Sequence, residues 1–211
     1  MVIETHLRAS GGRAALLALT SISRIGTIEF FGPTASASET FRYHTDIEYP
    51  TRLREELTGA RVLVDRGTDG TAYWEWTGEK YESVADPLKQ TSMRETAERA
   101  NRDVLWLTEE IGPLKMAATN PAWAAADHCL EGWKNSERVY ACFDRATGLM
   151  TAKGCDEEYR LLIDWTLAGA IKIPMRLRHF RDGKLAYEVR LDRVEVDQGI
   201  ERKRFENPTS P

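Results

Sequence analysis

The chain lacks long hydrophobic runs and has no excess of basic charge. No stretch approaches the roughly 20 consecutive apolar residues that a membrane-spanning helix needs, so we expect no membrane span. Lysine and arginine total 29 against 33 aspartate and glutamate residues, a formal net charge of -4. Because proteins that bind nucleic acid rely on a basic surface, this charge argues against nucleic acid as a partner.

The sequence also lacks the short motifs of common catalytic and metal sites. It contains no Gly-x-Ser-x-Gly elbow, no phosphate-binding glycine-rich loop before a helix and no His-Glu-x-x-His pair. The acidic run 156–158 consists of adjacent carboxylates, which on an extended chain cannot converge on one ion. His44, Asp46 and Glu48 alternate with apolar residues, so we expect them on the opposite side of their strand from the apolar side chains. We therefore expect a protein that is not an enzyme and has no cofactor and no metal.

Cysteine is scarce: Cys129, Cys142 and Cys155 stand at intervals that fit no zinc or redox motif. If residues 135–136 form a two-residue hairpin loop, Cys129 and Cys142 lie directly opposite each other, within reach of a disulfide. A three-residue loop would place Cys129 opposite Ala141 instead. Free cysteines that pack as small apolar groups are the alternative, and the sequence leaves this choice open.

The apolar content is sufficient for one domain, residues 1–211, with a hydrophobic core. Of the 211 residues 42% are hydrophobic, and a chain of this length buries about 70% of its unfolded surface. Apolar and polar residues alternate over 41–49, the pattern of a strand with one buried face. About eleven such strands, a number at which an antiparallel sheet curls, predict a mainly β, α+β fold with a strongly curved, unclosed barrel. After the midpoint the predicted strands are 128–134, 137–144, 149–154, 158–166, 172–180 and 184–197.

Two hairpins have registers that can be predicted from their turns. Three-residue loops at 68–70 and 181–183 place apolar side chains opposite one another, whereas two-residue loops oppose them to charged residues. The resulting pairs are Val62 with Trp76, Val64 with Trp74, Met175 with Val189, and Leu177 with Tyr187.

One long amphipathic helix is predicted over 92–111, where apolar residues recur at steps of three and four, with Ser92 as its cap. Short helices split by Gly11-Gly12 are expected within 1–22, and a flexible tail over 206–211. Because the long helix lies in sequence between the two halves of the sheet, we expect it to cover the concave face. It either completes the core or acts as a lid over an apolar cavity.

Several segments resemble those of LolA-like proteins, a family that includes outer-membrane lipoprotein-sorting proteins. They are 2–22, 24–27, Asp69-Gly70 with Trp74 after it, 144–149, 169–174 and 205–208. The resemblance implies an unclosed antiparallel barrel covered by helices, a hydrophobic cavity, and a periplasmic carrier of lipoprotein acyl chains whose signal peptide has been removed. It also implies an arginine that anchors the lid, for which Arg42, Arg52 and Arg54 are the candidates.

We therefore expect a monomeric periplasmic carrier whose partner is a lipid or lipoprotein acyl chain. The alternative is an envelope sensor or interaction domain with a side-chain-filled core and an envelope protein as partner. The arginine-rich stretches 176–181 and 202–204 are expected on the solvent face of the sheet. The predicted ligand-binding residues are Phe41, Tyr43, Leu53, Val62, Trp74, Trp76, Leu107, Ile111, Met175 and Leu177.

Overall fold

A computed structural model of the chain describes residues 2–32, 38–100, 102, 105, 107, 112–124, 128–134 and 136–209. The helices are α1 (Val2–Ala9), α2 (Arg13–Ala18) and α3 (Pro87–Arg99), with short 3-10 helices at Ala122–Ala124 and Arg202–Phe205. The strands are β1 (Ser21–Phe31), β2 (Ser38–Glu48), β3 (Arg52–Thr58), β4 (Val62–Thr68), β5 (Tyr73–Trp76), β6 (Tyr81–Ser83), β7 (Lys115–Met116), β8 (His128–Lys134), β9 (Glu137–Phe143), β10 (Met150–Gly154), β11 (Glu158–Ala168), β12 (Ile171–Arg181) and β13 (Lys184–Val196).

The strands form one antiparallel sheet in the order β6-β5-β4-β3-β2-β1-β13-β12-β11-β10-β9-β8-β7. β6 and β7 are its two edges, so within the described residues the sheet is not closed. The predicted mainly β fold with an unclosed antiparallel sheet is confirmed. The sheet has 13 strands rather than about eleven, because the edge strands β6 and β7 are too short to show an alternating pattern.

The chain divides into two compact units. The first unit contains Met1–Leu17, Phe30–Ser38 and Asn101–Arg190, and the second contains Ala18–Glu29, Glu39–Ala100 and Leu191–Pro211. The long strands β1 and β13 contribute residues to both units.

In the second unit, the strand alternation separates two faces of the sheet. Phe41, Tyr43 and Ile47 of β2 lie on one face with Leu53 and Leu57 of β3, which pair with them. We call this the α3 face. Glu75 also lies on it, and Glu75 forms an ion pair of 2.7 Å with Lys89 of α3. The opposite face carries His44, Asp46, Arg54, Glu56 and Trp74, and we call it the Trp74 face.

The predicted helix start at Ser92 is wrong, since α3 begins at Pro87. Asp86 caps the helix by accepting a hydrogen bond of 2.9 Å from the backbone N–H of Leu88. Aspartate followed by proline is a strong start signal, because proline has no N–H to leave unsatisfied in the first turn. Ala100, with φ −51° and ψ 128°, leaves the helical conformation and ends α3. In the rest of the predicted helix, Leu107 is helical and buried, while 101, 103–104, 106 and 108–111 lie outside the described residues.

The loop of the β4–β5 hairpin is longer than predicted. Thr68 pairs with Tyr73, which leaves residues 69–72 as the loop. Asp69 Oδ1 accepts hydrogen bonds of 2.8 Å from the backbone N–H groups of Thr71 and Ala72. These side-chain to backbone hydrogen bonds stabilise the longer turn.

This longer loop changes the face on which the tryptophans lie. Gly67, not Val64, is opposite Trp74, so the predicted pairing of Val62 and Val64 with the two tryptophans is wrong. A register that differs by an odd number of residues moves a side chain to the other face. Gly67 makes room for the indole, since a Cβ there would lie 2.5 Å from Trp74 Cζ2. Glycine inside a strand is the sequence signal for such a close approach.

The β12–β13 hairpin also differs from its predicted register. Arg181 pairs with Lys184, and the two loop residues Asp182 and Gly183 both have positive φ, 50° and 70°. Those angles suit a two-residue hairpin turn. A bulge between His179 and Phe180 then shifts the ladder, so that Leu177 pairs with Val189 rather than Tyr187. The three-residue loop is wrong, and the bulge keeps apolar residues opposite one another.

The β8–β9 hairpin has the two-residue connection that would align the cysteines. Lys134 pairs with Glu137, and Cys129 pairs with Cys142. The two sulfur atoms are bonded, with the Cα atoms 4.0 Å apart. Of the two registers left open by the sequence, the structure has the one that forms the disulfide.

In the first unit, the predicted split of the N-terminal helices is confirmed. Gly11 and Gly12 separate α1 from α2 and have φ values of 117° and 95°. A Cβ at Gly11 would lie 2.4 Å from the carbonyl oxygen of Ala170. Within the described residues, no helix is both long and apolar enough to cross a membrane.

Candidate functional site

The predicted ligand residues of the second unit do not share one face. Phe41 and Leu53 are buried on the α3 face, where Tyr43 is half-buried. Trp74 and Trp76 lie on the Trp74 face instead. The structure therefore brings the first three together beneath α3 and separates them from the tryptophans. Val62 is exposed and pairs with Thr58 at an irregular position of the ladder.

The remaining predicted ligand residues belong to the first unit. Leu107 is fully buried. Met175 and Leu177 are half-buried and occupy alternate positions of β12, so they lie on the same face of that strand. Ile111 lies outside the described residues.

α3 covers its face of the sheet through very few apolar contacts. Of its 13 residues, only Met93 and Ala97 are buried. Polar contacts add to the packing: Gln90 Nε2 donates a hydrogen bond of 2.7 Å to Val84 O, Tyr49 Oη donates to Ala100 O, and Lys89 forms its ion pair with Glu75. The face below contains Phe41, Ile47, Leu53 and Leu57, all buried. α3 therefore packs on this face with few buried side chains of its own.

The Trp74 face is covered by the C-terminal segment around Arg204 and Phe205, which the predicted flexible tail directly follows. Trp74 Nε1 donates a hydrogen bond of 3.0 Å to Phe205 O, and the Phe205 side chain is fully buried. Arg204 Nε donates at 2.6 Å to Asp46, and an Nη group of Arg204 donates to Glu56. The prediction that Arg204 lies on the solvent face is therefore wrong, because it pairs with carboxylates more than 140 residues away in sequence.

A second arginine completes this ionic cluster. Arg54 donates two hydrogen bonds, of 3.1 and 3.0 Å, to the two oxygens of Asp65. Tyr81 Oη donates to the same carboxylate at 2.6 Å. Burial and the hydrogen bond to Asp65 raise the pKa of Tyr81 to about 12. The arrangement links β3 and β4 to the edge strand β6, across the intervening β5, on the Trp74 face.

The titration of the cluster is governed by His44. Hydrogen bonds to Asp46 and Glu56 raise the pKa of His44 to about 9. Burial acts to raise the pKa of Glu56, but hydrogen bonds from His44 and Arg204 outweigh it and lower that pKa to about 2. The pKa of Asp46 is lowered in the same way, with its hydrogen bonds outweighing burial. At neutral pH the groups are charged and paired, so the cluster acts as an anchor for the C-terminal segment.

Within the described residues, neither face of the second unit holds a cluster of metal-ligating side chains. Within them, no group of three or more His, Cys, Asp or Glu side chains could hold a metal ion. A cleft of about 220 Å³ opens at the β2–β3 turn and is lined by Glu48, Tyr49, Thr51 and Arg52. Its mostly polar lining does not suit an acyl chain.

The whole chain is similar in backbone structure to several solved proteins. A LolA superfamily protein from Nitrosomonas europaea matches with a TM-score of 0.62 and 12% identity, covering 97% of this chain and 96% of the other. The chain has the LolA superfamily fold. A second similar structure is a domain from Vibrio parahaemolyticus that is assigned to outer membrane lipoprotein sorting. It matches this chain with a TM-score of 0.60 and 9% identity, and the match covers 97% of each chain.

A DUF1329 family protein from Desulfovibrio piger is also similar to this LolA-like chain, with a TM-score of 0.59, 10% identity, and coverage of 97% and 95%. No protein-family model matches the sequence, and no curated protein matches it either. The matches cover nearly all of each chain, so the likeness of fold extends over almost the full length. The resemblance that was inferred from scattered boundary segments is confirmed as a likeness of fold.

Proposed function

We propose that this chain is a non-enzymatic binding or carrier protein for a lipid or lipoprotein acyl chain in the cell envelope. The acyl chain would lie against the α3 face of the second unit, in contact with Phe41, Tyr43 and Leu53, after α3 moves aside. The observation that supports this proposal is that α3 covers the buried apolar side chains of this face with two buried side chains of its own, Met93 and Ala97.

The burial energies of α3 and of an acyl chain favour replacement of α3 by the acyl chain. Burial of one methionine side chain contributes about 1.5–3 kcal/mol, and an alanine contributes less. Each methylene of an acyl chain contributes about 0.8 kcal/mol, so a stretch of about ten buried methylenes contributes roughly 8 kcal/mol. A long acyl chain can therefore replace the apolar contacts of α3 with energy left over for the loss of its polar contacts and for ordering the ligand.

The disulfide supports a location outside the cytoplasm. Cys129 and Cys142 form a bond in the first unit, and such bonds persist in oxidising compartments such as the bacterial periplasm. The likeness of fold to a domain assigned to lipoprotein sorting is in keeping with that location.

The alternative function, an envelope interaction domain with a filled core, also has support. Phe41, Ile47 and Leu53 are fully buried beneath α3, as a permanently closed core requires. The two functions differ in one respect, which is whether α3 can leave its face at low cost. A protein partner would then bind elsewhere on the surface.

Native mass spectrometry of the purified chain, followed by titration with a fluorescent long-chain fatty acid, tests the carrier function. We expect co-purified lipid or saturable binding. Met93→Ala should bind the fatty acid about tenfold more tightly, because the closed state loses roughly 1.4 kcal/mol or more of burial. Leu88→Ala is the matched control, since Leu88 is on the same helix but 81% exposed, and its affinity should equal that of the wild type.

If neither the wild type nor Met93→Ala binds any acyl chain, and Met93→Ala only lowers the free energy of unfolding, the carrier function is wrong. That result would favour the interaction domain. Equal affinities of Met93→Ala and the wild type would show that opening of α3 does not limit binding.

A further inference from the structure

A half-buried arginine lies on the α3 face, beside one of the residues that would contact the acyl chain. The guanidinium carbon of Arg24, on β1, lies 6.0 Å from the centre of the Tyr43 ring. Ser23, the preceding residue, contacts His44 of the Trp74 face, with 3.4 Å between Ser23 Oγ and His44 Nε2. Because neighbouring side chains of a strand point to opposite faces, this contact independently places Arg24 on the α3 face.

Arg24 has no anionic partner in the part of the chain that the structure describes. Among those residues it forms no ion pair and no hydrogen bond, and its Nε is buried without an acceptor. Glu55 and Glu75, the carboxylates of the neighbouring strands on this face, pair with Arg66 and Lys89 instead. Since arginine is always charged and carries five N–H donors, Arg24 has donors left for an anion.

A buried hydroxyl without a partner lies on the same face. Thr45 follows Tyr43 by two residues on β2, so both side chains point to the α3 face. Thr45 is only 1% exposed, and its Oγ1 has no hydrogen-bond partner among the described residues. Buried polar groups in folded proteins are nearly always hydrogen-bonded, because an unpaired one has given up water without a replacement. Two unpaired polar groups therefore flank Tyr43, and a ligand that accepts hydrogen bonds would satisfy both.

The chemistry of these two groups selects an anion with oxygen acceptors. A guanidinium group donates two parallel hydrogen bonds to the two oxygens of a carboxylate, and a hydroxyl adds a further donor. On the same face, Phe41, Tyr43 and Leu53 supply apolar surface for a hydrocarbon chain. Apolar surface bordered by one guanidinium and one hydroxyl matches a single acyl chain that ends in a carboxylate.

We propose that Arg24 and Thr45 bind the carboxylate of a fatty acid whose hydrocarbon chain lies beneath α3. This inference rests on the proposed function, because a carboxylate site at this position presupposes an acyl chain on the α3 face. It narrows the class of ligand, since an acyl chain that is esterified to a larger molecule has no free carboxylate. Apolar contacts alone cannot make this selection.

Isothermal titration of the full chain with two ligands of identical hydrocarbon length tests the inference. Dodecanoate is the anionic probe and dodecan-1-ol the neutral one, both kept below the concentration at which they aggregate. We expect the wild type to bind dodecanoate about tenfold more tightly, the ratio expected when a hydrogen bond to a charged group is added. Measurement at about pH 8 keeps the carboxylic acid ionised.

Two variants separate the contributions of the guanidinium and the hydroxyl. Arg24→Gln should remove the preference for dodecanoate and leave the binding of dodecan-1-ol unchanged, because it removes the charge alone. Thr45→Val keeps the shape of the side chain without the hydroxyl, and it should reduce the preference by about threefold. The melting temperature of Thr45→Val should equal or exceed that of the wild type, since the lost hydroxyl has no partner within the described residues.

Arg42→Gln is the matched control. Arg42 directly precedes Tyr43 on β2, is exposed and points to the Trp74 face. Its replacement changes the net charge by the same amount as Arg24→Gln without touching the proposed site, so its preference should equal that of the wild type. Thermal unfolding of each variant before titration shows that it is folded.

The possible failures are distinguishable. Equal binding of dodecanoate and dodecan-1-ol by the wild type would overturn the carboxylate site and leave the carrier function in place. No binding of either ligand would overturn both. A preference for dodecanoate that persists in Arg24→Gln would overturn the assignment to Arg24. Acetate that binds as tightly as dodecanoate would show a site for a small free anion, and dodecyl phosphate that binds more tightly would show a phosphate site; either result overturns the inference.

Discussion

The ionic cluster on the Trp74 face predicts that the stability of the protein falls as pH rises above neutrality. His44 lies 3.0 Å from Asp46 and 3.3 Å from Glu56, and its side chain is 26% exposed. These partners raise the pKa of His44 from 6.5 to about 9. Because the folded state holds this proton more tightly than the unfolded state does, the stabilisation is fully present below pH 6.5 and is lost as pH rises through 9.

The size of this effect follows from the pKa shift. Each unit of pKa difference corresponds to about 1.36 kcal/mol. A change from 6.5 to about 9 therefore contributes roughly 3 kcal/mol to the free energy of unfolding. Between these two pH values, the free energy of unfolding should fall by about 1.4 kcal/mol per pH unit.

Urea unfolding at a series of pH values from about 6 to about 9.5 measures this slope. His44→Gln keeps a hydrogen-bonding side chain but cannot titrate, so its free energy of unfolding should be nearly constant across the window. It should be about 3 kcal/mol below the wild type at the acidic end and approach it at the basic end. His128→Gln is the control and should retain the wild-type slope. If the wild type and His44→Gln show the same slope, the argument from the His44 cluster is refuted.

Other predictions concern the C-terminal segment, the N-terminal helix and the disulfide. Phe205→Ala should lower the free energy of unfolding in urea by about 3–5 kcal/mol, because it empties a fully buried site; an unchanged value would mean that the segment is not docked. Burial lowers the pKa of His6 to about 4, so stability present above pH 6.5 should be lost as pH falls through that pKa, and His6→Gln should show a flatter acid titration. Replacing Cys129 and Cys142 by serine, which opens a 13-residue crosslink, should cost about 3 kcal/mol. A count of three free thiols in the unfolded, unreduced protein would contradict the disulfide.

Much of the fold could be predicted from local sequence patterns. The alternation of β2 correctly separated Phe41 and Tyr43 from His44 and Asp46, because neighbouring side chains of a strand point to opposite faces whatever lies beyond them. The strands after His128 were placed within a few residues for the same reason. The glycine pair between α1 and α2 marks a break that depends only on backbone freedom.

The candidate sites could be located only from the tertiary structure. A hairpin register depends on hydrogen bonds such as those that Asp69 accepts within its own turn, and on bulges in the neighbouring strand. For this reason Trp74 and Trp76 lie on the face opposite the one predicted. The start of α3 depends on the Asp86 cap, which competed with a plausible cap at Ser92.

By itself, the sequence determined which residues alternate to which side of each strand, since that depends on the two-residue period alone. The tertiary structure decided what covers each side. Arg204 meets Asp46 across 158 residues of chain, and Glu188 accepts hydrogen bonds from both Arg178 and Arg190. Such pairings follow from strand order and register, which are set by the packing of the whole sheet and leave no trace in the periodicity of any one segment.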